Sequence, residues 1–155
     1  MDDKFLVDFM LGKLARELRI LGFDTRYINL QTDDLRNPMI LLKLAQSENR
    51  IILTRNTKLK NYSGVVFINS EYINEQIAQV IKSFKLKIDI KPFSRCLVCN
   101  EILISVKKEE IKGKVPFYIF QTKDEFSCCP KCQKIYWAGT HQKNMRERVR
   151  KLIAQ

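Results

Sequence analysis

Two Cys-x-x-Cys turns, Cys96-Leu-Val-Cys99 and Cys129-Pro-Lys-Cys132, stand 29 residues apart in the last third of the chain. Each turn aims two sulfurs at one point, and two such turns complete a tetrahedral shell of four thiolates. Zn2+ suits that shell because it imposes no geometry of its own and takes thiolates readily. Two disulfides, inert buried thiols, or a redox or iron–sulfur role compete for the same residues, and the spacing favours zinc. Cys128 is out of phase with its turn and is expected to be a spare thiol beside the shell rather than a ligand.

A second set of residues offers oxygen. Phe5-Leu-Val-Asp8 is an apolar run closing on a carboxylate, and Arg50-Ile-Ile-Leu-Thr54 is followed by Arg55-Asn56. In open parallel α/β sheets, ligands bind beyond the carboxyl ends of the strands. Asp8 and Asn56 are therefore expected at one edge, with Asp33 and Asp34 approaching it ahead of the second helix. Such oxygens suit Mg2+ or Mn2+, which assist phosphodiester cleavage by activating water and stabilising the leaving oxygen. A strand-end aspartate also serves as a loop or helix cap, and on spacing alone that is the commoner outcome.

The elements that would position these groups are legible in the apolar pattern. Leu11, Leu14, Ala15, Leu18 and Leu21 recur at helical spacing, with Lys13, Arg16, Glu17 and Arg19 on the other faces and Gly22 placed to close the helix. Thr25–Leu30 reads as a second strand. Asn37-Pro38 reads as an N-cap and first helical position, leading through Ile40, Leu41, Leu44 and Ala45. Arg50–Thr54 and Val65–Asn69 read as strands, and Ser70 as the cap of a helix to about Phe84 with Tyr72 and Ile73 inward. Strands alternating with helices predict an α/β fold with a mainly parallel sheet flanked by helices. Lys85–Arg95 reads as a linker. Strand-like segments Ile102–Val106 and Val115–Phe120 lie between the cysteine turns, and Gln142–Gln155 reads as a basic helix. The expected division is an α/β domain over 1–88 and a small β-rich cysteine module with a basic C-terminal helix over 89–155.

Charge is unevenly spread. Residues 1–90 carry 14 Lys+Arg against 11 Asp+Glu, and residues 91–155 carry 14 against 6, within a net formal charge of +11. A basic excess beside a cysteine module fits a polyanion, most commonly nucleic acid, although a solvated lysine-rich surface would look the same. The acidic start is unlike a secretion signal, and no apolar run approaches the roughly 20 residues of a membrane span. Cytoplasmic residence without membrane association is the expectation, and it favours metal over disulfides.

Several of these residues together carry a resemblance. The opening Phe5-Leu-Val-Asp8-Phe-Met-Leu-Gly12-Lys-Leu-Ala15-Arg-Glu-Leu-Arg19-Ile-Leu-Gly22-Phe-Asp24-Thr resembles that of the Mut-7 C-terminal RNase domain family. So do Leu44-Ala45, Glu48-x-Arg50-Ile-Ile-Leu-Thr54-Arg55, the paired cysteine turns, and the ending Cys129-Pro-Lys-Cys132-x-Lys-Ile-Tyr136-Trp137-x-Gly139-x-His141. The resemblance implies a PIN-like nuclease fold joined to a zinc ribbon, with RNA as substrate. The family's usual Thr-Arg-Asp is Thr54-Arg55-Asn56 in this chain. Its other common acidic position falls on Pro38, beside Asn37, so Asp8 alone is kept of the trio. An amide oxygen ligates a hard cation without bringing charge, which weakens the site unless Asp33 or Asp34 substitutes.

Function is accordingly expected to be that of an RNA-acting protein resembling a divalent-metal ribonuclease with a depleted acidic site. The alternative is a catalytically inactive module that binds RNA or a ribonucleoprotein through the basic ribbon. Catalytic candidates are Asp8, Asp33, Asp34 and Asn56, and the zinc ligands are Cys96, Cys99, Cys129 and Cys132. For RNA, Arg16, Arg19 and Arg55 flank the acidic edge, where a solvated surface explains them equally well. Tyr136 and Trp137 are placed to stack on bases or to pack within the ribbon. His141 suits a phosphate contact or a structural role, and Lys143, Arg146 and Arg150 follow phosphates along the last helix.

Overall fold

The computed structural model describes residues 3–29, 37–85 and 90–154. Its centre is a four-stranded parallel sheet of β1 (Phe5–Val7), β2 (Thr25–Tyr27), β3 (Ile51–Thr54) and β4 (Val65–Phe67), in the order β2-β1-β3-β4. Strands covered on both faces carry unbroken apolar runs rather than alternating ones, as Phe5-Leu-Val and Ile51-Ile-Leu do. Phe5, Val7, Leu53 and Ile68 face α1 (Gly12–Ile20), α3 (Ile73–Phe84) and α5 (Thr140–Ala154). Leu6, Ile28 and Ile52 face the opposite way, toward Leu41 and Ala45 of α2 (Pro38–Ser47). Period-two alternation thus splits each strand between two cores.

The predicted α/β class with a parallel sheet is the class observed. Asn37 caps α2 by accepting the Met39 N–H, with Pro38 at the first helical position. Ser70 accepts the Tyr72 N–H, but α3 begins only at Ile73, and Tyr72 is 73% exposed instead of inward. Glu17, expected on the outer surface of α1, is buried because α5 lies over it and Arg148 reaches its carboxylate at 3.3 Å.

The C-terminal part forms a three-stranded antiparallel sheet of β5 (Ile104–Val106), β6 (Phe126–Cys128) and β7 (Ile135–Trp137). Val115–Phe120, expected as a strand, is instead the start of a short helix, α4 (Phe117–Thr122). Pro116 brings no N–H and supplies the carbonyl that accepts from Phe120. This aromatic run joins neither edge strand, β5 or β7, and the Lys123 N–H likewise turns back to the Ile119 carbonyl within the helix.

The ribbon is fastened to the amino edge of the parallel sheet. Asn100 accepts the Thr25 N–H at 2.9 Å and donates to Asp24 at 2.8 Å. Lys91 and Phe93 donate their N–H groups to Leu21 and Ile20, and Arg95 Nε donates to the Gly22 carbonyl. Gly22 has φ +94°, and a Cβ there would stand 2.2 Å from the Lys91 oxygen, so the contact requires glycine.

Candidate functional site

The carboxyl edge of the sheet gathers the ends of β1, β2, β3 and β4. Strand order reverses direction between β1 and β3, which is where open α/β sheets leave a crevice. Asp8 stands at that point, 5% exposed. Its Oδ1 accepts the Phe9 N–H at 2.7 Å, capping the one-turn helix Phe9–Leu11, and its Oδ2 accepts the Thr54 hydroxyl at 2.7 Å. Thr54 Oγ1 accepts in turn from the Asn56 N–H at 2.9 Å. The carboxylate is therefore held at both oxygens by the ends of its own strand and the neighbouring one.

Asn56 shares this edge, but its amide oxygen accepts the Lys58 N–H at 3.0 Å and caps the next helical turn. Asn69 follows β4 and Asn29 follows β2. Asp33 and Asp34 lie outside the described residues. Among the described residues, no group of three or more His, Cys, Asp or Glu gathers around Asp8. The edge offers hard oxygen donors of the kind Mg2+ and Mn2+ take, with one carboxylate at its centre.

The four sulfurs of Cys96, Cys99, Cys129 and Cys132 lie within 4.8 Å of one another. Zn–S bonds of about 2.3 Å at tetrahedral angles put sulfurs about 3.8 Å apart. Cys96 Sγ and Cys132 Sγ are separated by 3.7 Å. The two turns repeat one geometry. The Cys96 and Cys129 N–H groups donate to the carbonyls of Glu101 and Lys134, and their own carbonyls accept from Asn100 and Gln133. The Cys99 and Cys132 N–H groups point at the Cys96 and Cys129 sulfurs at 3.4 Å. Asn100 and Gln133, directly after each turn, both have φ 66°. This cluster is able to hold a metal such as zinc.

Burial works against ionising Cys96, but the Tyr136 hydroxyl and the N–H groups of Cys99 and Val98 outweigh it and lower the thiol to about 6. Tyr136 accepts the Leu97 N–H at 3.1 Å, leaving its own proton for the Cys96 sulfur at 3.2 Å. Its hydroxyl is raised above the ordinary phenol by burial and by that thiolate, and it stays neutral. Cys128 is outside the cluster; its sulfur faces the Cys129 carbonyl and the Gln133 side chain.

The residues expected to meet RNA divide into two sorts. Arg19 is half-buried and joins the two parts of the chain, with Nε on the Thr25 carbonyl and one terminal nitrogen on the Leu97 and Val98 carbonyls. Burial lowers its pKa, against partial compensation from Cys96 and Cys99. Arg55 donates to the Ile68 carbonyl at 3.0 Å and lies 3.7 Å from Glu71. Arg16 is exposed on α1, as are His141, Lys143, Arg146 and Arg150 on α5. Trp137 packs edge-on against Phe126 and also lines a cleft with Tyr136, His141 and Arg146.

Three site features were outside the sequence reading: the Thr54 hydroxyl on Asp8, the Asn100–Asp24 latch and the positive φ of Phe93. Only Asn100 left a local trace, since asparagine after a Cys-x-x-Cys turn is suited to the left-handed region.

The family model described as the Mut7-C RNAse domain matches residues 3–149. No curated protein matches the chain, and no solved structure does.

Proposed function

The chain belongs to the Mut7-C RNAse domain family, and on that premise we propose that it is a ribonuclease whose chemistry is centred on Asp8. The observation that carries this reading is a buried carboxylate, oriented at both oxygens, at the point where strand order reverses. A divalent Mg2+ or Mn2+, held by Asp8 with oxygens of Asn56, Asp33 and Asp34, would supply an activated water and neutralise phosphate charge. Asp8 fixes where that charge is met, and Thr54 and the Phe9 N–H keep its carboxylate in one orientation. The exposed cations of α5 hold the RNA backbone without reading its sequence.

In this reading the unit over 1–88 cuts, and the ribbon over 89–155, stapled by structural zinc at the four cysteines, binds RNA. The setting is the cytoplasm, in keeping with five free cysteines. No helix among the described residues is long and apolar enough to cross a membrane. The test is cleavage of single-stranded RNA with Mn2+ by the wild type and by Asp8→Ala. Products from the wild type alone support the assignment, whereas cleavage surviving in clean Asp8→Ala protein removes it.

One observation favours a second reading. The Asn56 amide oxygen is already a helical cap and brings no charge, which suits a fold that binds RNA or a ribonucleoprotein without cutting. That reading predicts salt-sensitive RNA binding that persists through brief EDTA exposure, with no products at any Mn2+ concentration.

A further inference from the structure

The ribbon sits at the amino edge of the sheet, and Asp8 sits at the carboxyl edge. Between the ribbon and the first turns of α5 lies a cleft of about 390 Å³. Apolar and aromatic surface from Phe93, Leu97 and Trp137 lines it, together with Arg95, His141 and Arg146. Flat aromatic faces beside guanidinium planes are the surfaces on which unpaired bases stack. Phe93 is held there in an unusual way. Its φ of 64° is rare for a bulky residue, and its N–H donates to the Ile20 carbonyl at 2.8 Å. The Arg146 guanidinium carbon stands 5.6 Å from the centre of the Phe93 ring, so a cationic plate already lies over an aromatic one.

Charge and direction specify the occupant further. Arg95 and Arg146 outnumber the one carboxylate of the lining, Glu125, and the cleft lies in the strongly basic part of the chain, where Lys+Arg exceed Asp+Glu by 14 to 6. From it α5 runs toward the other edge of the sheet, because Arg148 meets Glu17 on α1 and Asn74 in the first turn of α3. Exposed Arg150 and Lys151 continue that course. A polyanion seated at the cleft is thereby led along α5 and away from the ribbon.

We propose that this cleft is a nucleobase pocket, which seats one unpaired base of a single-stranded RNA against Trp137 and Phe93, with Arg146 and His141 on the adjoining phosphate. It anchors the strand at the edge opposite Asp8, so that the anchored nucleotide and the one acted upon are different and separated by several residues of RNA. This deepens the RNA-acting reading above and rests on it.

Trp137 is the only tryptophan in the chain, so its fluorescence reports on the cleft alone. The zinc-loaded full chain carrying Asp8→Ala, which prevents turnover, is titrated with a short single-stranded oligoadenylate and with an abasic sugar-phosphate oligomer of equal length. Saturable quenching by the oligoadenylate and none by the abasic strand is expected. Adding Arg146→Ala, at an exposed position and with the melting profile recorded alongside, should raise the midpoint about tenfold, the scale of one lost stacking contact. Lys112→Ala, which removes the same charge from an exposed ribbon site away from the cleft, should change it by less than about twofold. Binding by anisotropy without quenching overturns the pocket and leaves the RNA reading standing, as does equal weakening by the two substitutions. Absence of any RNA binding in the wild type sinks both.

Discussion

The Thr54 hydroxyl donates to Asp8 Oδ2 across 2.7 Å, tying the end of β3 to the end of β1 at the point where the strand order reverses. Both residues are buried, Thr54 fully and Asp8 nearly so. Replacing Thr54 with Val keeps the shape and removes the donor, leaving a buried carboxylate oxygen without its partner. Such a loss costs about 1–3 kcal/mol. Denaturant unfolding should show that drop, and any RNA cleavage should fall with it because the carboxylate is no longer oriented. Unchanged stability would mean that the hydroxyl is not a support for Asp8.

The thiol cluster separates ligands from bystander. Elemental analysis of protein purified without chelators should give about one zinc per chain. Cys99→Ser should lower that value and the melting temperature together, because metal binding and ribbon folding are one equilibrium. Cys128→Ser should change neither, since its sulfur lies outside the cluster. A metal-free wild type with the same melting profile would refute the staple.

Gly22 tests how the ribbon is attached. A Cβ at this position combines φ +94° with a 2.2 Å approach to the Lys91 oxygen. Gly22→Ala should destabilise the chain by about 2–4 kcal/mol, the range of a strained backbone position that cannot relax. Hydrogen exchange should show the loss first in the amides of Lys91 and Phe93, which donate to Leu21 and Ile20. Protection unchanged at those two amides would show that the docking does not depend on Gly22.

Asp24 makes the attachment sensitive to acid. Burial pushes its carboxyl up, but hydrogen bonds from Arg50 and Asn100 outweigh burial and hold it below the usual 3.8. A carboxyl lowered on folding contributes stability that is complete above the unfolded value and is lost as pH falls through the folded one. Wild-type stability should therefore carry an Asp24 contribution at neutral pH that disappears below about pH 4. Asp24→Asn should be less stable than the wild type at pH 7, and the gap should close in acid. A gap independent of pH would show that the charge is not what matters there.

How much of this was legible depended on how local each cause is. Leu14, Ala15 and Leu18 announce α1, and Asn37-Pro38 announces α2, because periodicity and capping act within a few residues. Val115–Phe120 misled because β propensity depends on context, and after Pro116 the run closes local bonds, from Phe120 to Pro116 and from Lys123 to Ile119, rather than joining a strand. Arg19 likewise looked like a surface cation. The carbonyls of Leu97 and Val98 that receive it come from 78 and 79 residues away.

The α/β class, the family and the four thiols are written along the chain, since apolar period and Cys-x-x-Cys spacing carry their geometry locally. Docking of the ribbon at the sheet edge opposite Asp8, the hold of Thr54 on that carboxylate, and the meeting of Phe93, Trp137 and Arg146 in one cleft arise with the folded chain. Those relationships are contacts between distant segments. They exist only once burial of the two apolar faces has fixed the sheet and placed α5 across it.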